Sequence, residues 1–235
     1  SQTETVLTAD SVLGPYTKVK EGLKPLNMSA GDFDLAVAPD GKAYYYFERV
    51  HSETICADLT LDYTDVTGYY STHFPHISPP YVREAMAHFM RGGKHYLVTS
   101  GTTGYLPNPS EVAIADTWHG PFTVLGNLHP KDESNTSFHS QISSVFKVQG
   151  KKDLYIAMAD RWVPDHMELK YEEYAAEYER MFAPGYDGAE EFIKKFGSDA
   201  ERDTSIADYV WLPLRFDGHM AYVDWMEEWR VEDYE

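Results

Sequence analysis

The chain has 235 residues, enough for one large domain or two small ones, and its 20 Lys and Arg against 38 Asp and Glu give a formal net charge of −18. That balance argues against nucleic acid, whose phosphates need clustered basic residues, and equally against an anionic membrane surface; the doublets Lys151-Lys152 and Lys194-Lys195 stand isolated. A hydrophobic content of 43% suffices for a core, no apolar run approaches the ~18 residues of a membrane span, and the lone Cys56, read as a buried inert thiol, excludes an internal disulfide framework and any multi-cysteine zinc site.

In chain order the first feature is a repeat. Ala9-Asp10-Ser11-Val12-Leu13-Gly14-Pro15-Tyr16-Thr17 returns as Ala115-Asp116-Thr117-Trp118-His119-Gly120-Pro121-Phe122-Thr123. A second signature is a turn before an aromatic strand: Asp40-Gly41-Lys42-Ala43-Tyr44, Gly92-Gly93-Lys94-His95-Tyr96, Gly150-Lys151-Lys152-Asp153-Leu154-Tyr155 and Asp217-Gly218-His219-Met220-Ala221-Tyr222. Asp-Gly and Gly-Gly before alternating apolar residues are hairpin-turn chemistry. The first three copies lie roughly 50–60 residues apart, the period of propeller blades.

Strands read around these turns fall into units of four. Residues 4–17 read as the last two strands of a unit whose first half is absent. The next unit covers about 32–74, with strands near 32–37, 42–50, 54–60 and 67–73. Another covers about 83–125, with strands near 83–90, 94–100, 111–116 and 120–124. A third covers about 138–230, with strands near 139–147, 153–159, 208–215 and 219–225. The expected architecture is therefore a single all-β propeller domain over 1–235, with about three four-stranded blades and a helical insertion at about 167–205. Within that insertion Tyr171, Tyr174, Tyr178, Met181 and Phe182 recur at helical spacing. The spacing predicts a helix from Met167 to Phe182, with Asp165 as N-cap and Glu168 three residues on, its tyrosines packed on the sheet. Ala189 to Phe196 predicts a second short helix.

Acidic residues beside strands are the candidates for chemistry. Asp32 and Asp34, two apart on a strand, share a face, and in a propeller the first strand of each blade lines the central channel. Glu84 opens an apolar strand, where desolvation lets a carboxyl keep its proton near neutrality, as a general acid must. His73 and His76 lie in a Pro-rich stretch with no third ligand at a defined spacing, so no metal site is expected. No phosphate-binding Gly-rich loop and no Gly-x-Ser-x-Gly elbow occur.

Arg83-Glu84-Ala85, then Gly93-Lys94-His95-Tyr96-Leu97-Val98-Thr99-Ser100-Gly101-Thr102-Thr103-Gly104-Tyr105 and Pro107-Asn108, resembles glycoside hydrolase family 43, in its exo-β-1,3-galactanase-like branch. Gly31-Asp32-Phe33 before Asp40-Gly41-Lys42-Ala43-Tyr44 is similar to that family's stretch around the aspartate that tunes the acid. Phe138-His139-Ser140-Gln141-Ile142-Ser143, Ala159-Asp160-Arg161-Trp162 and Tyr209-Val210-Trp211-Leu212-Pro213-Leu214 resemble the branch's last blade. The resemblance implies an inverting exo-hydrolase of galactose-containing polysaccharide. An arabinofuranosidase or xylosidase of the same family, or a non-catalytic carbohydrate-binding propeller, are the alternatives. It implies Glu84 as general acid, Asp32 as its pKa modulator with Asp34 second, and Gln141 as the group that activates water in its imidic form or hydrogen-bonds a sugar hydroxyl. Asp34, Thr102, Thr103, His139, Asp160, Arg161 and Trp162 are its substrate-binding candidates, Trp162 for ring stacking. No cofactor is required; a structural calcium ion is compatible with the family, but no ligand set in this sequence indicates one.

The family's five blades and its usual general-base Asp on the first blade leave this chain matching the last three blades only. An open arc of three would expose an apolar face at each end, so the expectation is a homo-oligomer that completes the ring and supplies Asp160 or Asp224 as base. A small closed three-bladed ring is the alternative. The chain starts at Ser1 without Met or a signal-peptide pattern, so a processed or trimmed product is the expectation. An extracellular or periplasmic location follows from the resemblance alone.

Overall fold

A computed structural model describes residues 2–235. A hairpin of β1 (Glu4–Thr8) and β2 (Thr17–Leu23) precedes three four-stranded antiparallel sheets. The first holds β3 (Ala30–Val37), β4 (Ala43–Arg49), β5 (Glu53–Leu59) and β6 (Val66–His73) in sequential order. The second holds β7 (Arg83–Arg91), β8 (Lys94–Gly101), β9 (Ser110–Ala115) and β10 (Thr123–Asn127). The third holds β11 (Gln141–Lys147), β12 (Tyr155–Arg161), β13 (Asp208–Asp217) and β14 (Met220–Val223). Each sheet is a meander whose consecutive strands pair, joined by turns and short loops apart from the long excursion between β12 and β13.

The leading strands gather: β7 packs between β3 and β11. Covered on both sides, β7 is buried almost throughout and loses the alternation of a half-exposed strand. Tyr46 and Cys56 of the first sheet pack on Met86 and Leu97 of the second. Phe89 and Tyr96 of the second pack on Tyr155 and Leu212 of the third. A polar seam joins the first two sheets as well. Ser71 Oγ lies 2.9 Å from both His73 Nε2 and His119 Nδ1, and His119 Nε2 lies 2.6 Å from Asp58 Oδ1. Burial pushes His73 down to about 4, so it enters this network neutral. On the other side of β3, Phe33, Leu35 and Val37 stay half exposed, and Phe33 and Leu35 border an apolar groove of about 470 Å³ against β1.

Two boundaries differ from expectation for one reason. β2 begins at Thr17, where the sequence places its end, and β10 begins at Thr123 instead of about 120. The repeated Gly-Pro segments are turns, not strand starts. Gly14 (φ 79°) and Gly120 (φ 78°) sit in the left-handed region, and a Cβ on Gly120 would lie 2.7 Å from Phe122 N.

The insertion corrects the helix reading. The expected helix from Met167 to Phe182 is a 3-10 turn at Tyr171–Glu173 followed by α1 (Ala175–Met181), and Asp165 caps nothing. Glu173 Oε1 accepts the Lys170 N–H at 3.2 Å, which starts the helical segment five residues late. α2 (Ala189–Phe196) lies where expected. The tyrosine stripe packs mainly within the insertion: Tyr174 and Tyr178 bury against Phe192 and Phe196, with Leu106 of the β8–β9 loop as the contact to the sheets. The Tyr174 hydroxyl donates to Pro107 O.

Candidate active site

All three leading strands are irregular near their starts. The β3–β4 register shifts between Ala30 and Phe33, β7–β8 between Glu84 and Ala87, and β11–β12 between Ile142 and Ser144. Bulges re-aim side chains and release backbone donors from the ladder. Here they bring Asp32, Glu84 and Gln141 together. Ala85, in the β7 bulge with φ 50°, turns its N–H to Asp32 Oδ2 at 3.2 Å. Asp34 Oδ2 accepts the His88 N–H at 2.7 Å, so two aspartates of β3 fasten the backbone of β7.

Gln141 occupies the centre. Its Nε2 donates to Glu84 Oε1 at 3.1 Å and to Ser100 Oγ at 2.9 Å, while its Oε1 accepts the Trp162 indole N–H at 3.0 Å. The indole can only donate, which fixes which end of the amide faces it. Just before Gln141 the backbone is strained: Asn135, Ser137, Phe138 and His139 all have φ between 54° and 57°. The Asp132 carboxylate holds this run by accepting the N–H groups of Ser134, Thr136 and Phe138 at 3.0, 2.8 and 2.9 Å.

The electrostatics favour a protonated acid. Burial first, then the charges of Asp32 and Glu48, push Glu84 well above the usual carboxylate range, against opposing hydrogen bonds from Thr102 and Gln141. Asp32 is raised by burial, opposed by the Ala85 N–H and reinforced by Glu48. Asp34 is raised by burial against the His88 and Leu35 N–H groups.

An open cavity of about 470 Å³ lies over this cluster, walled by Gly31, Asp32, Ala85, Gln141, Asp160 and Trp162 among others. The remaining substrate-binding candidates divide. Asp160 and Trp162 border the cavity, with the Tyr105 ring 5.5 Å from that of Trp162. Asp34 does not border it; its oxygens are occupied by His88 and Leu35. Thr102 and Thr103 are buried, donating to Val82 O and Leu106 O. His139 Nε2 lies 2.8 Å from Leu169 O, which ties the strained run to the insertion. Arg161 donates to Phe138 O and lies over the Trp225 ring, away from the cavity. The sequence reading missed Glu48 and Ser100. Glu48 was detectable from its place two residues beyond Tyr46, on the face of β4 that looks toward β7.

Chemically, the arrangement offers a carboxyl that keeps its proton, a neighbouring carboxylate, an oriented amide and an indole beside an open acidic cleft. That set suits protonation of a leaving oxygen on a polyhydroxylated substrate.

No protein-family model matches the chain, and no curated protein matches it in sequence. Solved structures do. A GH43 β-1,3-galactosidase superposes with a TM-score of 0.74 at 25% identity, covering 98% of this chain and 40% of its own. Another GH43 β-1,3-galactosidase, solved with galactodeoxynojirimycin, gives 0.71 at 23% identity, with coverages of 97% and 67%. An exo-β-1,3-galactanase from Clostridium thermocellum gives 0.66 at 22% identity, with coverages of 94% and 42%. The chain thus spans 40–67% of the length of these three structures.

Proposed function

We propose that this chain, whose fold is that of part of a family-43 glycoside hydrolase domain of the β-1,3-galactan-cleaving kind, carries the acid half of an inverting exo-β-1,3-galactanase site. We read its three four-stranded sheets as propeller blades, with β3, β7 and β11 as the strands lining the channel. One observation carries the reading: Glu84, half-buried, accepts from Gln141 and sits beside Asp32, Ala85 and Gln141, which line an open cavity.

In the proposed reaction Glu84 gives its proton to the glycosidic oxygen as the C1–O bond breaks. Asp32 orients the β7 bulge through the Ala85 N–H and disfavours ionisation of Glu84 as a like charge. Water adds to C1 from the opposite face and gives its proton to a general base, the half of the inverting pair supplied by neither Glu84 nor Asp32. Inverting sites separate their two groups by roughly 6.5–9.5 Å, whereas Gln141 touches Glu84 at 3.1 Å. Gln141 therefore serves as a water or hydroxyl ligand only after its amide leaves Glu84. Trp162 is the stacking surface for a sugar ring, and the partner is an oligosaccharide or polysaccharide.

The test is incubation of the chain with β-1,3-galactan, arabinan and xylan oligosaccharides, read by chromatography. Release of galactose is expected from the first only. Glu84→Gln should cut turnover roughly 10²–10⁴-fold while leaving the fold intact. Release from arabinan or xylan instead would move the substrate within the family. Full activity in folded Glu84→Gln would remove the mechanism.

A further inference from the structure

Glu48 is a buried acid, 3% exposed, on the strand behind the cavity wall. Alternation along β4 puts it on the same face as Tyr46, whose ring stacks on His88 of β7 at 5.0 Å. One carboxylate oxygen is occupied: Oε1 accepts the His51 N–H at 2.7 Å and lies 3.0 Å from His51 Nδ1. The other, Oε2, has no hydrogen-bond partner among the described residues. It lies directly behind Gly31, where a Cβ would sit 2.2 Å from it. Gly31 has no positive φ, so backbone conformation does not require glycine there. What the missing side chain provides is room for this oxygen at a residue that lines the cavity.

Oε2 is not sealed from solvent, so it is free to accept a donor from a ligand, and a second free acceptor stands beside it on Asp32, an exposed residue. Asp32, opposite Glu48 in the β3–β4 bulge, has Oδ2 on the Ala85 N–H, while its Oδ1 has no partner among the described residues. Two unmatched acceptors on one wall fit two hydroxyl donors on adjacent carbons. We infer that Glu48 is a further substrate-contact residue, which with Asp32 accepts a pair of neighbouring hydroxyls of the terminal sugar ring through the gap left by Gly31. This rests on reading the cavity as a sugar site. It adds selectivity, because a site built to accept hydroxyl donors rejects a ring that lacks them.

The experiment titrates D-galactose, L-arabinose and D-xylose into the chain, followed by amide NMR shifts, for wild type and Glu48→Gln. The His51 N–H holds an oxygen at the inner position, so Gln turns its NH₂ toward the cavity and replaces the acceptor with a donor. The sugar that binds wild type best is then compared with its monodeoxy analogues. Glu48→Gln should weaken the parent sugar about 10–100-fold, the range for a hydrogen bond to a charged group. One deoxy analogue should bind wild type and variant alike, because the hydroxyl that Glu48 accepts is already gone. Equal affinity of both proteins for the parent sugar overturns the role of Glu48 and leaves the sugar site standing. Equal weakening of every analogue overturns it too. Failure of all three sugars to bind wild type overturns both the inference and the sugar site. If Glu48→Gln does not fold, Gly31→Ala asks the same question, since its Cβ displaces Oε2 and the same selective loss is expected.

Discussion

Glu84 ties the proposed chemistry to folding stability, which can be measured without substrate. Its ordinary value of 4.5 is raised well upward by burial and then by the Asp32 and Glu48 charges. Below about pH 4.5 the folded and unfolded chains both hold this proton, and Glu84's contribution is fully present. As pH rises further the unfolded chain releases the proton and the folded chain keeps it. Each pH unit then removes about 1.4 kcal/mol of folding stability, until pH passes the folded value. Glu84→Gln removes this one-proton slope and nothing else of that sign. Asp32 and Asp34, also raised, contribute similar slopes, and Asp65, Asp132 and Asp153, lowered, contribute opposite ones. These largely cancel when the two proteins are compared. Within the window between the ordinary 4.5 and the raised folded value, the variant should therefore gain up to about 1.4 kcal/mol per pH unit on wild type, or up to about 3–6 °C in Tm for a chain of this size. Thermal unfolding followed by circular dichroism from pH 4.5 to 7.5 reads the gap. Parallel Tm–pH curves for the two proteins would refute the claim that Glu84 holds a proton its unfolded form gives up.

Three other perturbations probe separate parts of the structure. Asp32→Asn removes a like charge from Glu84, so the alkaline limb of the kcat/KM profile, where the acid ionises, should move to lower pH; an unmoved limb would separate the two groups. Trp162→Phe keeps a ring at the cavity but deletes the N–H that orients Gln141, and kcat should fall about 3–10-fold with little change in KM. Equal kcat on galactan oligosaccharides would show that the orientation is irrelevant. Gly120→Ala forces a side chain into a left-handed backbone with 2.7 and 2.8 Å contacts to Phe122 N and His73 Cε1, so a loss of about 1–3 kcal/mol in chemical denaturation is expected. Wild-type stability would show that the turn relaxes freely.

What could be read from the residues was what depends on short range. Asp40-Gly41 and Gly92-Gly93 announce hairpins, and the strands flanking them fall within about two residues of the observed ones. Glu84 and Asp32 stood out because a carboxyl at the start of an apolar strand has few mundane uses. The failures come from longer range. Thr102 and Thr103 resemble polar cavity residues in sequence, yet both hydroxyls are taken by backbone carbonyls, Thr102 by Val82 O just before β7 and Thr103 by Leu106 O within its own bend. The tyrosine stripe shows the right period, but periodicity does not tell which surface receives it, and α2 supplied a nearer one than the sheet. Glu48 was passed over because Glu before Arg at a strand end looks solvated; its place two residues beyond Tyr46 and the absent side chain of Gly31, on the neighbouring strand, mark it as buried. The Asp132 knot that sets Gln141 depends on four left-handed residues in a row of five, which no local propensity favours.

β7 carries a guanidinium and a carboxyl on consecutive residues, and the pleat separates them. Arg83 directs its charge to Thr99, donating to the hydroxyl and the carbonyl at 2.9 and 2.8 Å, and approaches Glu111 at 3.6 Å. Glu84 turns the other way, toward Gln141 and Asp32. The strand thus acts as a partition between a permanent cation and an acid that must remain neutral. Sliding β7 by a single residue would exchange the two compartments, setting the arginine among the carboxylates and stripping the proton from whichever acid it met. The hydrogen-bond register of one strand is in this sense a chemical setting: pairing Glu84 with Ser100 and Arg83 with Gly101 decides which side of the sheet can donate a proton.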